Sequence, residues 1–268
     1  MSLILLMGVN GAGKGKKGLM LQYLTAGLGV YRIVMSELIE RHIRNKTPLG
    51  SQFAAQKALK DAGRLLSDAP VFEAIEQEML GIYADHESSG GAGECVIILD
   101  GFPRIMEEDN TEQLKRFMSY RIPFTAFNFK IDEATCLHRV NERAKTEGKR
   151  GDEASAPDRF VRLGRGNDKM LRVMKATNPH SVVLIDGTLP VRDQIMRILK
   201  KCFSPSNVMK MTKCLDNPKH AAREIMDEME GKKPHHGGAT AHSVHDAQQA
   251  EHASASTGGG DARELVEP

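Results

Sequence analysis

The sequence has few cysteines, and none of them lie close together. Cys95, Cys136, Cys202 and Cys214 include no C-x-x-C pair. That excludes a disulfide-stapled scaffold and the usual zinc spacing, and it suits a reducing, cytoplasmic compartment. Long apolar runs are missing as well: none approaches the ~18 residues that span a bilayer. The longest early run, Leu3 to Met7, has no basic segment before it, so neither a membrane anchor nor a signal peptide is expected. Charge of one sign is also lacking. Lys and Arg number 37 against 35 Asp and Glu, a net charge of +2, which leaves no footprint for nucleic acid. There is no internal repeat. What is present is ordinary for a globular chain of 268 residues, 40% hydrophobic and 27% charged.

The near-neutral balance hides a boundary. Residues 204–268 carry seven basic and ten acidic side chains, while the first 203 residues carry a net +5. Between Gly231 and Gly260 the only large aliphatic residue is Val244, so that stretch has too little apolar surface to offset its ordering entropy. Residues 204–268 therefore read as a polar extension, partly helical and then disordered. His235, His236, His242, His245 and His252 fall there; they suit a solubilising tail better than a weak metal-binding tract.

Within residues 1–203, short apolar strands alternate with amphipathic stretches. The strands are expected at Leu3–Met7, Tyr31–Met35, Val96–Leu99, Phe124–Ile131 and Val182–Ile185. Asp132 and Glu133 open a helix that carries Leu137, Val140 and Ala144 on one stripe. This order predicts an α/β fold, a five-stranded parallel sheet flanked by helices, with ligands beyond the carboxyl ends of the strands.

The first strand runs straight into Gly8-Val9-Asn10-Gly11-Ala12-Gly13-Lys14-Gly15-Lys16, and a helix follows. Phosphate oxygens need converging backbone N–H groups, which only small side chains and free φ angles permit. The helix N-terminus adds partial positive charge, and Lys14 can reach β- and γ-phosphates. Gly15 stands where the strict pattern has Ser or Thr. The loop resembles that of the adenylate kinase family of nucleoside monophosphate kinases, with Asn10 where the family usually has Pro and Lys16 where it has Thr. Asp100-Gly101-Phe102-Pro103-Arg104, at the end of the third strand, is similar to the family signature at all five positions.

The resemblance covers about residues 1–203 and implies an ATP-dependent phosphoryl transfer to a nucleoside monophosphate, most simply ATP + AMP = 2 ADP. It implies ATP-binding by Gly8, Gly11, Ala12, Gly13, Lys14, Gly15, Lys16 and Arg139. Mg²⁺ comes with ATP, with Asp100 meeting it through water. Arg139 and Arg143, four residues apart, resemble the family's arginine pair; Arg150-Gly151-Asp152-Glu153 resembles its lid motif. Arg162-Leu163 resembles a final Arg-Leu, and Leu163 favours Arg162 over Arg165 for that role. These arginines, with Arg104, would surround the transferring group, and Asp152 and Glu153 would orient the lid. The short lid, about 144–158, contains no cysteine, so no structural zinc is expected.

The acceptor side departs from the family pattern. Met35-Ser36-Glu37-Leu38-Ile39 and Gly63-Arg64-Leu65-Leu66-Ser67-Asp68 resemble its acceptor-binding insert, here about 36–68. The family's phosphate-binding Arg falls on Glu40, with Arg41 and Arg44 one and four positions on. Its base-reading Gln falls on Glu108, which can accept a hydrogen bond but not donate one when ionised. Ser36, Arg41, Leu65, Leu66, Gly101, Arg104 and Glu108 form the expected acceptor site. A kinase for another nucleotide or small-molecule acceptor, or a weakly catalytic nucleotide-binding module, is the alternative. A monomer whose partners are ATP and a monophosphate, with no nucleic acid or membrane, is expected.

Overall fold

The computed structural model describes residues 1–56, 68–91, 93–105, 111–147 and 152–216. Leu65, Leu66, Glu108, Arg150 and the five tail histidines lie outside the described residues, as do the side chains of Asp68, Asp152 and Glu153.

Five parallel strands form one sheet: β1 (Ser2–Met7), β2 (Val30–Val34), β3 (Val96–Asp100), β4 (Phe124–Lys130) and β5 (Val182–Asp186). Their order is β2-β3-β1-β4-β5. Each strand lies within one residue of its expected bounds. Side chains alternate across a strand, and here both faces are apolar. Leu3, Leu5 and Met7 enter one core with Ile97, Leu99 and Ala126. Ile4 and Leu6 enter the other with Ile98, Phe127 and Phe129. Each such side chain, fully buried, contributes about 1.5–3 kcal/mol.

Helices α4 (Asp68–Ser88), α5 (Glu112–Ser119) and α7 (Asp152–Thr177) cover the first face through Phe72, Ile75, Phe117 and Met174. Phe102, just after β3, packs edge-on against Phe72 (4.8 Å) and Phe117 (5.3 Å), which anchors the signature segment from behind. Helices α1 (Lys14–Leu24), α8 (Val191–Cys202) and α9 (Pro205–Leu215) cover the second face through Leu21, Ile195, Leu199 and Met211. Ser204 caps α9, its Oγ accepting from the Asn207 N–H (3.4 Å), and Pro205 takes the first helical position. Met211 and Leu215, one turn apart, are buried. The packed chain thus runs past residue 203 to Leu215, and the shift in charge at residue 204 is a change of surface, not the end of the core.

Helices α2 (Met35–Arg44) and α3 (Pro48–Ala55) follow β2 and dock on the first face through Leu38, Leu49 and Phe53. Helix α6 (Glu133–Glu147) opens at Asp132, whose carboxylate accepts from the Thr135 N–H (2.8 Å) and hydroxyl (2.7 Å). Those bonds hold the Asp132 carboxyl below the usual range. Helices α6 and α7 meet along Cys136, Val140, Ala156 and Leu163, and Val9 of the glycine-rich loop joins them. Among the described residues, no helix is long and apolar enough to cross a membrane.

Candidate active site

The glycine-rich loop and the signature segment leave the carboxyl ends of two adjacent strands, with Leu6 of β1 paired to Asp100 of β3. Gly8 has φ +133°, and a Cβ there would stand 2.7 Å from the Phe129 carbonyl oxygen. Gly13 is left-handed (φ 74°) at the start of α1, and no side chain caps that helix. Its first N–H groups are therefore available to an anion.

Lys14 curls back over the loop, donating to the Gly8 (2.7 Å) and Val9 (2.9 Å) carbonyls. Burial, then the nearby Arg104 guanidinium, lower its pKa from 10.5 to about 7, while Asp100 opposes the shift. Lys17 is the surprise of this helix. It belongs to the basic run Lys14-Gly15-Lys16-Lys17, yet Lys17 is only 2% exposed. Its Nζ donates to the Ala12 carbonyl at 2.5 Å and lies 4.3 Å from the centre of the Phe129 ring. Burial, then Arg139, bring it down to about 8. The signal was in the spacing: Lys17, Leu21 and Leu24 fall on the stripe of α1 that faces the sheet.

Asp100 is buried at the end of β3, and Arg32 of β2 holds its Oδ2 at 2.7 Å. The same guanidinium donates to the Gly15 carbonyl (3.3 Å). Sequence reasoning missed Arg32; a charged residue inside an otherwise apolar strand was the available sign. Asn10 was noted only as a departure from the family's Pro; its Oδ1 accepts from Arg104 at 2.7 Å. The Asn10 backbone carbonyl lies 3.0 Å from the Cys136 thiol. Arg104 follows a cis Phe102–Pro103 bond. A cleft walled by Gly8, Lys14, Gly101, Arg104, Leu163 and Asn167 thus joins loop, signature segment and α7. Asn167, another residue not anticipated, is buried and donates to Asn128 of β4 (2.8 Å).

Arg139 of α6 donates to the carbonyls of Gly11 (3.3 Å) and Gly187 (3.2 Å), between the loop and the turn after β5. Arg143, one turn on, is exposed; Arg162 of α7 is half-buried and lies 3.2 Å from Asp158; Arg165 is exposed. On α2, Ser36, Glu40 and Arg44 share an exposed stripe. Arg41 turns instead toward α4 and pairs with Glu78. Gly11, Ala12, Gly15 and Lys16 stay with the loop, and Gly15 and Lys16 are exposed.

The described residues contain no group of three or more His, Cys, Asp or Glu side chains placed to hold a metal ion. A hard divalent ion carried mainly by phosphate oxygens needs few protein ligands, and one carboxylate acting through water is enough. Asp100, buried at the end of β3 beside the loop, is a carboxylate whose chemistry suits such an ion. Four cations thus gather near the buried Asp100 carboxylate: Arg104 and Lys17 help to lower the value of Lys14, and Arg139 that of Lys17. A polyanion relieves that repulsion.

No protein-family model matches the chain. It is 27% identical over 203 residues to the adenylate kinase of Cyanothece sp. (strain PCC 7425 / ATCC 29141), an overlap of 74% of this chain and 93% of that protein. Over 105 residues it is 35% identical to the adenylate kinase of Pelobacter propionicus, 39% of this chain and 41% of the relative. It is 30% identical over 151 residues to the adenylate kinase of Maricaulis maris (strain MCS10), 56% of this chain and 71% of the relative. A likeness that runs through 71% of the Maricaulis maris protein is too long to come from one phosphate loop, and the chain belongs to the adenylate kinase family.

Proposed function

We propose that the chain transfers the γ-phosphoryl group of ATP to AMP, ATP + AMP = 2 ADP. The acceptor is already a phosphate anion, so the chemistry needs in-line positioning and charge neutralisation more than a strong base. The observation that carries the reading is the 2.7 Å hydrogen bond from Arg104 to Asn10, which brings the signature guanidinium to the phosphate loop and into the cleft that Lys14 lines. Donor and acceptor phosphates bound by these two groups would be neighbours.

In this reading the loop N–H groups and Lys14 hold the β- and γ-phosphates, and Lys16 adds an exposed cation near the α-phosphate. Arg104 grips the acceptor phosphate, and Asn10 keeps its guanidinium oriented toward it. Arg139 lies against the donor base. Arg143, Arg150 and Arg162 neutralise charge on the equatorial oxygens. Asp100 would order the water around the Mg²⁺ that comes with ATP, an ion that would supply further charge neutralisation.

A second reading, a kinase for another acceptor, draws on α2. The exposed Glu40 repels a monophosphate, and Arg41 is engaged by Glu78. A coupled ADP-formation assay over AMP, CMP, UMP, GMP and small alcohols separates the two. The highest kcat/KM is expected with AMP, and absence of a preference for AMP would overturn the proposal.

A further inference from the structure

The carboxylate best placed to meet a metal ion already has a cation on it. Arg32 and Asp100 are 10% and 7% exposed at their side chains, and Nη2 lies 2.7 Å from Oδ2. The contact is fixed from several sides. Arg32 also reaches the Gly15 carbonyl on the first turn of α1 (3.3 Å). Gly18, one turn on, lies so close that a Cβ would stand 2.7 Å from Arg32 Nε and 3.0 Å from Asp100 Oδ2. β2 and β3 are adjacent, with Arg32 level with Ile98, two residues before Asp100. The Arg32 Nε is itself buried without a hydrogen-bond partner. The guanidinium is thus committed to this spot at some cost, not resting there on a flexible stem.

We propose that Arg32 is a positioning residue that keeps Asp100 closed to free divalent cations, so that the metal enters only with its nucleotide. This rests on the kinase reading above, in which Asp100 serves the metal. A buried carboxylate with no counter-charge attracts a divalent ion. One that already bears a guanidinium presents little net field, and a second cation beside it is repelled at close range in a medium of low polarisability. A metal arriving on a polyphosphate brings its own neutralising charge, and the repulsion largely disappears. The donor set agrees: a single carboxylate holds a free ion only weakly, so one guanidinium on it is enough to keep the ion out until phosphate oxygens add further ligands.

Mn²⁺ binding to the full-length chain, read by electron paramagnetic resonance without nucleotide, tests this directly. Arg32→Gln and Arg32→Met remove the charge. They should bind one Mn²⁺ about fivefold or more tightly than the parent, and Mn²⁺ should raise their melting temperature more than the parent's. Arg32→Lys should behave like the parent. Adding Asp100→Asn to either neutral variant should abolish the gain, which separates this site from adventitious binding by the tail histidines. With ADP present, the parent and neutral variants should bind the metal alike. If a neutral variant that melts cooperatively shows unchanged or weaker Mn²⁺ binding, the proposal is wrong. If only one neutral variant folds, the other decides. A gain in Mn²⁺ affinity in a chain that transfers no phosphoryl group would defeat the kinase reading and leave the Arg32 role standing. An active kinase with no gain would do the reverse.

Discussion

Lys14 offers the most direct physical handle on the site. Without nucleotide its ammonium titrates at about 7, because the loop buries it and Arg104 stands nearby. A bound polyphosphate puts anionic oxygens against it and returns it toward the ordinary lysine value of 10.5. Nucleotide binding at pH 8 should therefore take up protons, about 0.9 per site from Lys14 alone, falling to about 0.1 at pH 6 where Lys14 is already charged. Apparent affinity should fall as pH rises, about fivefold between pH 7 and 8. The assay is calorimetric titration with Mg-ADP at pH 8 in buffers of different ionisation enthalpy. At that pH the phosphates are nearly fully ionised, so the proton goes to the protein. Lys14→Met should lose the Lys14 share of the uptake, leaving at most the smaller contribution of Lys17, and lower turnover by about 10²–10³-fold. The sign for stability runs the other way. A lysine whose folded value is depressed weakens the fold while charged; that penalty is full below about pH 7 and gone above 10.5. Lys14→Met should thus melt no lower than the parent at pH 6. Equal proton uptake in the parent and Lys14→Met, or none in the parent, would refute the reasoning.

Two further substitutions probe the acceptor side. Asn10→Ala removes the Oδ1 that receives Arg104; kcat/KM for AMP should fall about tenfold, with KM for ATP little changed, in steady-state kinetics. Glu40→Arg replaces an exposed anion on α2 with a cation and should lower KM for AMP about threefold or more. An unchanged KM would mean that Arg41 or Arg44 already meets the phosphate.

The fold was legible because its signals are local. Runs such as Leu3–Met7 and Val96–Leu99 are apolar on both faces and alternate with helical stretches, so strand positions and parallel sense follow from pattern. The loop was legible because phosphate chemistry demands glycine at set spacing. What the sequence concealed depends on which strands become neighbours. Arg32 and Asp100 are 68 positions apart, and only the placement of β3 beside β2 makes them a pair. Asn10 and Arg104 are 94 apart and meet because β1 lies next to β3. Lys17 escaped notice because residue type outweighed position. Its place on the inner stripe of α1 predicted burial, whereas its charge suggested solvent. Likewise α9 carries Met211 and Leu215 one turn apart in a polar stretch, a stripe too short to outweigh the local composition.

Transfer of a phosphoryl group from ATP to AMP within this cleft can be followed by rapid-quench single turnover, with ATP labelled at the γ-phosphate and excess AMP. The label should appear in the β-position of newly formed ADP, without a comparable release of inorganic phosphate, and Arg104→Lys should slow this step. Label recovered only as inorganic phosphate, or unreacted ATP bound at full occupancy, would contradict the kinase reading.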